Sequence, residues 1–214
     1  MSILGTFNGL NIVALPCDTQ PDVTSPSSIT WDAHEVVSTN TSPFTGTMEI
    51  YDYMASWMEG QVSFPPMHRG SSDAWSAFVL QCRGQANAFM IGDPKAALPK
   101  GSAKGSPVVS GAGQTGYNLV TRGWAASVTS TLLPGDYIQI GYRLYKVLNA
   151  VNSDSSGNAT LAVWPNLRDL PADGVTVQTR NCKGLFRLAA NSGNSFSVNP
   201  GSYGFTSLKI REAI

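Results

Sequence analysis

Residues Leu133–Arg168 limit the possible folds of this chain strongly, because short apolar runs there are broken repeatedly by turn residues. Turn signals occur at Pro134–Asp136, at Gly141 and at Asp154–Asn158. Apolar and polar residues alternate between these breaks, so each strand is expected to bury one face. Short strands with such frequent turns are typical of a small barrel or sandwich. The strands predicted in and after this stretch are Tyr137–Ile140, Arg143–Val151, Ala159–Trp164 and Val175–Thr179.

The charge of the chain is low and balanced. Only 13% of its 214 residues are charged, and Lys+Arg and Asp+Glu are equal at 14 each. A neutral chain has no electrostatic footprint for nucleic acid or an anionic membrane, and it lacks the self-repulsion that keeps monomers apart. Because 42% of the residues are hydrophobic, the low charge does not indicate disorder. We therefore expect neighbouring subunits to cover part of the surface.

The three cysteines and the apolar segments exclude several classes of protein. Cys17, Cys82 and Cys182 are widely spaced and odd in number, which favours reduced, buried thiols over disulfides or a zinc site. Residues 1–16 have no basic region and no sustained apolar run, so we expect no signal peptide. No run of about 18 apolar residues occurs, so no membrane span is expected.

The N-terminal half is predicted to contain an arm, a hairpin and a helix. Residues 1–30 are interpreted as an extended arm, because 16–28 are rich in Pro, Ser, Thr and Asp. Phe44–Met54 and Trp57–Phe64 are predicted as two paired strands. A helix over residues 72–83 follows from apolar residues at helical spacing, with a cap at Ser71, Ser72 or Asp73.

A loop rich in Gly, Ser, Lys and Pro over residues 95–116 indicates a subdomain boundary. The fold class expected is mainly β, a β-sandwich or β-barrel, with one short α-helix packed on the base sheet. The base domain is assigned to residues 31–105 plus 184–214, where Ala88–Ile91, Gly184–Ala190 and Gly204–Ile210 supply further strands. Residues 106–183 are assigned to an inserted small β-barrel subdomain.

Two glycine-containing motifs resemble ligand-binding motifs, but each is better explained as a loop. Gly111–Gly116 matches the dinucleotide pattern GxGxxG, but β-branched residues and Gly123 follow it where a helix is required. We interpret it as a loop that enters a strand. Asn152–Asn158 resembles the start of a calcium loop, but the twelfth-position Glu and flanking helices are missing, which favours a hairpin loop.

The titratable residues indicate no catalytic or metal site, and no cofactor is expected. His34 and His68 belong to no ligand-type pair. Glu49 and Glu59 could oppose each other across the predicted hairpin, but nothing nearby favours a catalytic role for either. The chain is therefore expected not to be an enzyme.

Five tryptophans form the remaining constellation: Trp31, Trp57, Trp75, Trp124 and Trp164. A sugar-binding platform is one interpretation. Core or subunit contact is the favoured one, since each indole buries a large area.

Several segments together resemble a family of tail proteins from long-tailed, siphovirus-like bacteriophages. They are SPFTGTMEIYDY, DAWSAFVLQCRGQANAF, SPVVSGAGQTGYNLVTRGW, LLPGDYIQIGYRLYKVLNAVNSDSSGNATLAVWPNLR and NCKGLFRLAANSGNSFSV, which span roughly Thr30 to Val198. Within that class the chain resembles distal tail proteins of the tail tip. The family supplies no catalytic residues to carry over.

The resemblance implies a structural virion protein, made in the host cytoplasm and built into the phage tail. It would form a homo-oligomeric ring, with a hexamer favoured, at the distal end of the tail tube. Its partners would be the tube protein on one side and hub or tail-tip (baseplate) proteins on the other, with tape-measure or fibre proteins as further candidates. Two alternatives stay open: a carbohydrate-binding tail module using Trp124 or Trp164, and a tail-associated wall hydrolase.

Overall fold

A computed structural model describes residues 2–192 and 207–214, together with the backbone of two strands between them. Its helices are α1 (Pro16–Thr19), α2 (Arg69–Cys82) and the 3₁₀ turn Pro94–Ala96. Its strands are β1 (Ile3–Phe7), β2 (Leu10–Val13), β3 (Ser28–Thr41), β4 (Met48–Ser63), β5 (Ala88–Ile91), β6 (Gly105–Val109), β7 (Gly116–Trp124), β8 (Tyr137–Ile140), β9 (Arg143–Val147), β10 (Ala159–Leu167), β11 (Val177–Gln178), β12 (Gly184–Leu188), β13 (Phe196–Asn199), β14 (Ser202–Phe205) and β15 (Leu208–Glu212). The fold is mainly β, as predicted.

The chain divides into two compact units. The first comprises residues 1–32, 58–93 and 183–214, and the second comprises 33–57 and 94–182. The sequence places the inserted subdomain at 106–183, whereas the second unit begins at residue 94 and also takes in 33–57. The difference arises because the middle of the long β3–β4 hairpin bonds to β7 and β10, far along the chain.

The first unit is built on a seven-stranded sheet in the order β1-β2-β5-β12-β15-β4-β3. The pair β2–β5 is parallel, while β12 pairs with both β5 and β15 in antiparallel register. The two C-terminal segments expected to supply strands to the base domain thus pair with each other as β12 and β15. Residue 206 of the predicted segment Gly204–Ile210 lies outside the described residues.

Helix α2 packs on this sheet through aromatic side chains. Phe78 lies 5.1 Å from Phe89 of β5, and Trp75 lies 5.5 Å from Phe78 between ring centroids. The helix begins at Arg69, before the predicted start at residue 72. The predicted caps were wrong because Ser71 is buried inside the helix, where its hydroxyl accepts a hydrogen bond from the Thr24 amide.

The N-terminal residues differ from the extended arm predicted over 1–30. Strands β1 and β2 form an antiparallel hairpin whose turn is Asn8-Gly9, with φ of 47° and 79°. Asn-Gly with positive φ at both positions is the turn that matches the twist of paired strands. Helix α1 follows, so most of residues 3–19 belong to the folded unit.

The predicted hairpin of Phe44–Met54 with Trp57–Phe64 was wrong. Residues Met48–Ser63 form one continuous strand, β4, and its hairpin partner is β3. Residues 48–59 contain no Gly or Pro, and the strand continues through this region with a single positive φ at Met54.

The second unit contains a nearly closed six-stranded barrel in the order β11-β8-β9-β10-β7-β6. Strands β6 and β11 meet only at one end, where Val108 bridges Thr176 and the Val109 amide donates to the Val175 carbonyl at 2.8 Å. We call this junction the seam. The interior is filled by buried side chains that include Leu119, Leu132, Ile138, Val147, Leu161 and Val163.

A candidate interaction surface on the β3–β4 ribbon

The end of the β3–β4 hairpin, residues 37–54, is exposed almost throughout, and we call it the ribbon. It carries seven of the sixteen large hydrophobic side chains that are exposed in the described part of the chain. They are Val37, Phe44, Met48, Ile50, Tyr51, Tyr53 and Met54. Exposed apolar groups concentrated in this way mark interaction sites in soluble proteins, and single scattered ones do not.

The tip of the ribbon presents an aromatic ring to solvent. The Ser42 amide donates to the Thr47 carbonyl and the Gly46 amide donates to the Ser42 carbonyl, both at 2.9 Å. Gly46 adopts a φ of +69°, which a residue with a side chain rarely tolerates. This closed turn holds Phe44 at its apex, where the side chain is 95% exposed.

The base of the ribbon is fixed to β10 by a buried polar cluster. The Ser56 hydroxyl donates to Asn166 Oδ1 at 2.9 Å and accepts from the Asn166 amide at 3.0 Å. Asn166 Nδ2 also donates to the carbonyl of Met54. Both Ser56 and Asn166 are buried, so these bonds hold the strand without competition from water.

A second anchor lies around Glu35 of β3. Trp164 Nε1 donates to Glu35 Oε1, and the Tyr117 hydroxyl donates to Glu35 Oε2 at 3.5 Å. Burial and the negative charge of Glu35 raise the pKa of Tyr117, so its hydroxyl stays protonated as a donor. The ribbon is thus held at its base and free at its tip.

The ribbon is acidic as well as apolar. Residues 37–54 contain Glu49 and Asp52 but no Lys or Arg. The Tyr51 hydroxyl donates to Glu49 Oε2 at 2.8 Å, and the Met54 amide donates to Asp52 Oδ1 at 2.8 Å. A surface of aromatic rings and carboxylates is suited to binding a protein with complementary positive charge.

The predicted opposition of Glu49 and Glu59 is wrong, because both lie on β4. Glu59 Oε1 instead lies 3.5 Å from Arg211 Nε, and Glu49 bonds Tyr51 as described. The two histidines are also separate: the His34 ring stacks on Trp57 at 5.4 Å, whereas His68 precedes helix α2.

Two of the tryptophans lie in cores. Trp75 is buried and its Nε1 donates to the Thr24 carbonyl at 2.9 Å. Trp124 is buried in the barrel and its Nε1 donates to Thr121 Oγ1 at 2.8 Å. Trp124 therefore presents no face for stacking on a sugar.

The other three tryptophans are half-buried and each has a neighbour. Trp31 lies 5.2 Å from Phe186 between ring centroids, Trp57 stacks on His34, and Trp164 bonds Glu35. The interpretation of most tryptophans as packing residues agrees with these contacts.

The glycine-containing motifs lie in hairpin loops. Gly111–Gly116 connects β6 to β7, and the Gln114 side chain bonds the backbone of Val120 and Ser110 across the loop. Asn152–Asn158 connects β9 to β10, where Asp154 Oδ1 accepts hydrogen bonds from the amides of Ser156 and Asn158, both at 2.8 Å. Both motifs therefore serve local turns.

Asp173 fastens the Gly111–Gly116 loop and gives it a pH dependence. Its carboxylate pairs with Arg122 at 2.6 Å and accepts from the Gly111 amide at 2.7 Å, which lowers the pKa of Asp173 to about 2. A carboxylate with a lowered pKa stabilises the fold above its unfolded pKa of about 4, and the gain is lost as the pH falls through 2.

We expect the melting temperatures of the wild type and of Asp173→Asn to differ by a constant amount above about pH 5. The difference should shrink between about pH 4 and pH 2, where the wild-type carboxylate becomes protonated. Thermal melts recorded by circular dichroism across this range test the prediction. A difference that stays the same down to pH 2 would contradict it.

The thiols are free, and their pKa values are high. Burial raises the pKa of Cys82 and of Cys182 to about 12, and burial together with Asp18 raises the pKa of the half-buried Cys17. The prediction of reduced thiols agrees with these environments, although Cys17 is less buried than expected.

Within residues 2–192 and 207–214, no three His, Cys, Asp or Glu side chains converge as a metal site would require. None of the helices in that part of the chain is long and apolar enough to cross a membrane. No protein-family model matches the chain, and no curated protein matches its sequence.

Proposed function

We propose that this chain is a structural, non-enzymatic protein of a bacteriophage tail that forms a ring at the distal end of the tail tube. The ring would link the tube protein to hub and tail-tip proteins. The observation that carries the proposal is the ribbon, an anchored hairpin with seven exposed large apolar side chains. The resemblance of the sequence to long-tailed phage tail proteins supplies the biological setting.

The ribbon needs a partner on energetic grounds. A two-stranded hairpin exposed on both faces is marginally stable in water. Burying a large apolar side chain contributes about 1.5–3 kcal/mol, so covering all seven fully would contribute about 10–20 kcal/mol. That gain matches or exceeds the cost of about 4–15 kcal/mol for immobilising one protein on another. A partner protein that covers the ribbon can therefore form a stable interface.

Self-association into a ring requires a contact between two different surfaces of the same chain. The ribbon is suited to be one of these surfaces. Its base is fixed to the barrel and its tip is exposed, so the tip can contact a neighbouring copy. The second surface on the neighbouring copy would be repeated around the ring. Low overall charge favours this association, because 14 positive and 14 negative residues leave no net repulsion between copies.

Negative-stain imaging and light scattering of the purified full chain test the proposal. We expect closed rings for the wild type and loss of rings when Phe44 and Tyr51 are both replaced by Ser. Leu80→Ser is the matched control, because Leu80 is 70% exposed on α2 and its replacement removes apolar surface away from the ribbon. Rings that persist in the Phe44/Tyr51 variant, or that disappear equally in the control, would overturn the role of the ribbon.

A second measurement tests whether the protein lies at the distal end of the phage tail. An antibody raised against the chain is expected to label the distal end of the tail in virions that contain it. Labelling of the capsid, or no labelling of intact particles, would overturn the assignment to the tail tip while leaving self-association to stand.

A further inference from the structure

The barrel of the second unit is open along part of the seam. Beside the bridge between Val108 and Thr176, residues 102–107 and 176–180 line a shallow, open groove of about 580 Å³. Each strand is paired on one side only, β6 with β7 and β11 with β8. Such edges have backbone donors and acceptors available to a further strand.

The groove is positively charged. Its lining includes Lys104 and Arg180 and contains neither an acidic nor an aromatic residue. Both cations are exposed, and neither makes an ion pair within the described residues. An acidic strand with a free edge could pair with one of these two edges and would supply the missing negative charge. The lack of an aromatic platform disfavours a sugar as the occupant.

The ribbon carries the negative charge that this groove lacks, and it has a strand edge that could pair with the groove. Its strand β4 pairs with β3 on one side, while β15 pairs with residues 59–62 and Asn166 bonds Met54, so Met48–Tyr53 has one free edge. That segment carries Glu49 and Asp52. Charge is divided accordingly within the second unit: residues 33–57 have no Lys or Arg, whereas residues 94–182 have eight Lys and Arg against four Asp.

The ribbon and the groove lie on different walls of the barrel. The anchors of the ribbon are on β10 and β7, through Asn166, Trp164 and Tyr117. Around the barrel, β10 is separated from the seam by two strands on one side and three on the other. A donor and an acceptor on separate walls are arranged for a head-to-tail contact between copies, which is the kind that generates rings.

We infer that the ribbon of one copy docks, through the free edge of Met48–Tyr53, into the seam groove of a second copy. Glu49 and Asp52 face Lys104 and Arg180 across this contact. This contact rests on the proposed self-association, for which it supplies the second of the two surfaces.

Charge exchange on the full-length protein tests the inference. The acceptor variant is Lys104→Glu with Arg180→Glu. The donor variant is Glu49→Lys with Asp52→Asn, because asparagine keeps an oxygen for the Met54 amide that Asp52 accepts. All four positions are exposed, so the fold should tolerate the changes.

Each variant alone is expected to self-associate at least about tenfold more weakly than the wild type in sedimentation velocity, because the charge pairing is lost. An equimolar mixture of the two should recover assembly, since the exchanged ribbon then meets the exchanged groove. Lys95→Glu with Lys146→Glu is the control for a general effect of negative charge, and it should assemble as the wild type does.

The outcomes separate this inference from the proposed function. If the wild type assembles and the acceptor variant assembles equally well, the groove is not the acceptor and self-association stands. If each variant fails and the mixture does not recover, the direct pairing of the two surfaces is overturned. If the wild type stays monomeric, both proposals are overturned.

Discussion

Replacing Asp136 with alanine is expected to lower the free energy of unfolding by about 3–5 kcal/mol. The residue is only 3% exposed, and its carboxylate accepts backbone hydrogen bonds from Lys100 at 2.8 Å, Gly101 at 3.1 Å and Leu133 at 2.8 Å. Alanine removes all three acceptors and leaves the amides without partners where water enters poorly. Each unpaired buried donor costs about 1–3 kcal/mol, which sets the size of the effect.

Asp154→Ala is the matched control for this prediction. Asp154 also accepts three hydrogen bonds, from the Ser156 amide and from the amide and side chain of Asn158, but it is exposed. Water can replace the lost acceptor there, so its loss of stability should be a small fraction of that for Asp136→Ala. Urea unfolding monitored by tryptophan fluorescence measures both. Equal losses for the two variants would show that burial does not decide the effect.

Asp136 illustrates what the sequence can and cannot predict. The segment Pro134–Asp136 is recognisable as a turn from its residue types alone. Its wider role is not recognisable, because two of the three donors belong to Lys100 and Gly101, more than thirty positions away. Local turn chemistry is encoded in neighbouring residues, whereas a carboxylate that joins two segments depends on the folded path of the chain.

The barrel was predictable because its strands alternate and its turns are explicit. Predicted strands Tyr137–Ile140 and Ala159–Trp164 correspond to β8 and β10. The helix was predictable for the same reason, since Trp75, Phe78 and Val79 follow helical spacing and are buried in the structure. In each case the periodicity of apolar residues matches a single buried face.

The N-terminal hairpin carried a signal that the sequence interpretation missed. Asn8-Gly9 stands between apolar runs and is a strong short-range indication of a two-residue turn. The Pro- and Ser-rich composition of residues 16–28 led instead to an arm over the whole of 1–30. Average composition concealed a turn that depends on two residues.

The ribbon was missed for a related reason. Residues 42–47 contain Pro43 and Gly46 between two β-rich runs, which is the signature of a turn. The sequence interpretation placed Phe44 inside a strand and the turn near residue 55. Exposure of apolar side chains on both faces cannot be read from alternation, because alternation assumes that one face is buried.

The neutral net charge also conceals a segregation of charge within the second unit. A balance of 14 against 14 leaves the chain as a whole without net charge. It does not exclude complementary charge within it, and the acidic ribbon and the basic groove are held in one unit. Neutral copies with opposite local charges can attract one another in a fixed orientation, which favours an ordered ring over nonspecific aggregation.

Gly157→Ala is expected to lower the free energy of unfolding by about 3 kcal/mol, a large effect for one added methyl group. Gly157 has a φ of +77°, and a Cβ atom there would lie 2.3 Å from the Trp124 carbonyl oxygen. The Trp124 amide also donates to the Gly157 carbonyl at 3.0 Å, so the loop cannot move away without weakening this bond. Left-handed strain adds about 1–2 kcal/mol to the steric cost.

Gly174→Ala separates the two contributions, because Gly174 has nearly the same φ of +78° but its nearest potential Cβ contact is Arg122 at 4.0 Å. Gly174→Ala should therefore lower the free energy of unfolding by only about 1–2 kcal/mol, the cost of the left-handed backbone. Urea unfolding of the two variants gives the comparison, and the excess loss in Gly157→Ala measures the close approach of the Asp154–Asn158 loop to the end of β7. If the two losses were equal, that approach would have no energetic weight. A larger loss at Gly157 would instead show that the backbone of Trp124 cannot move away to accommodate the added methyl group.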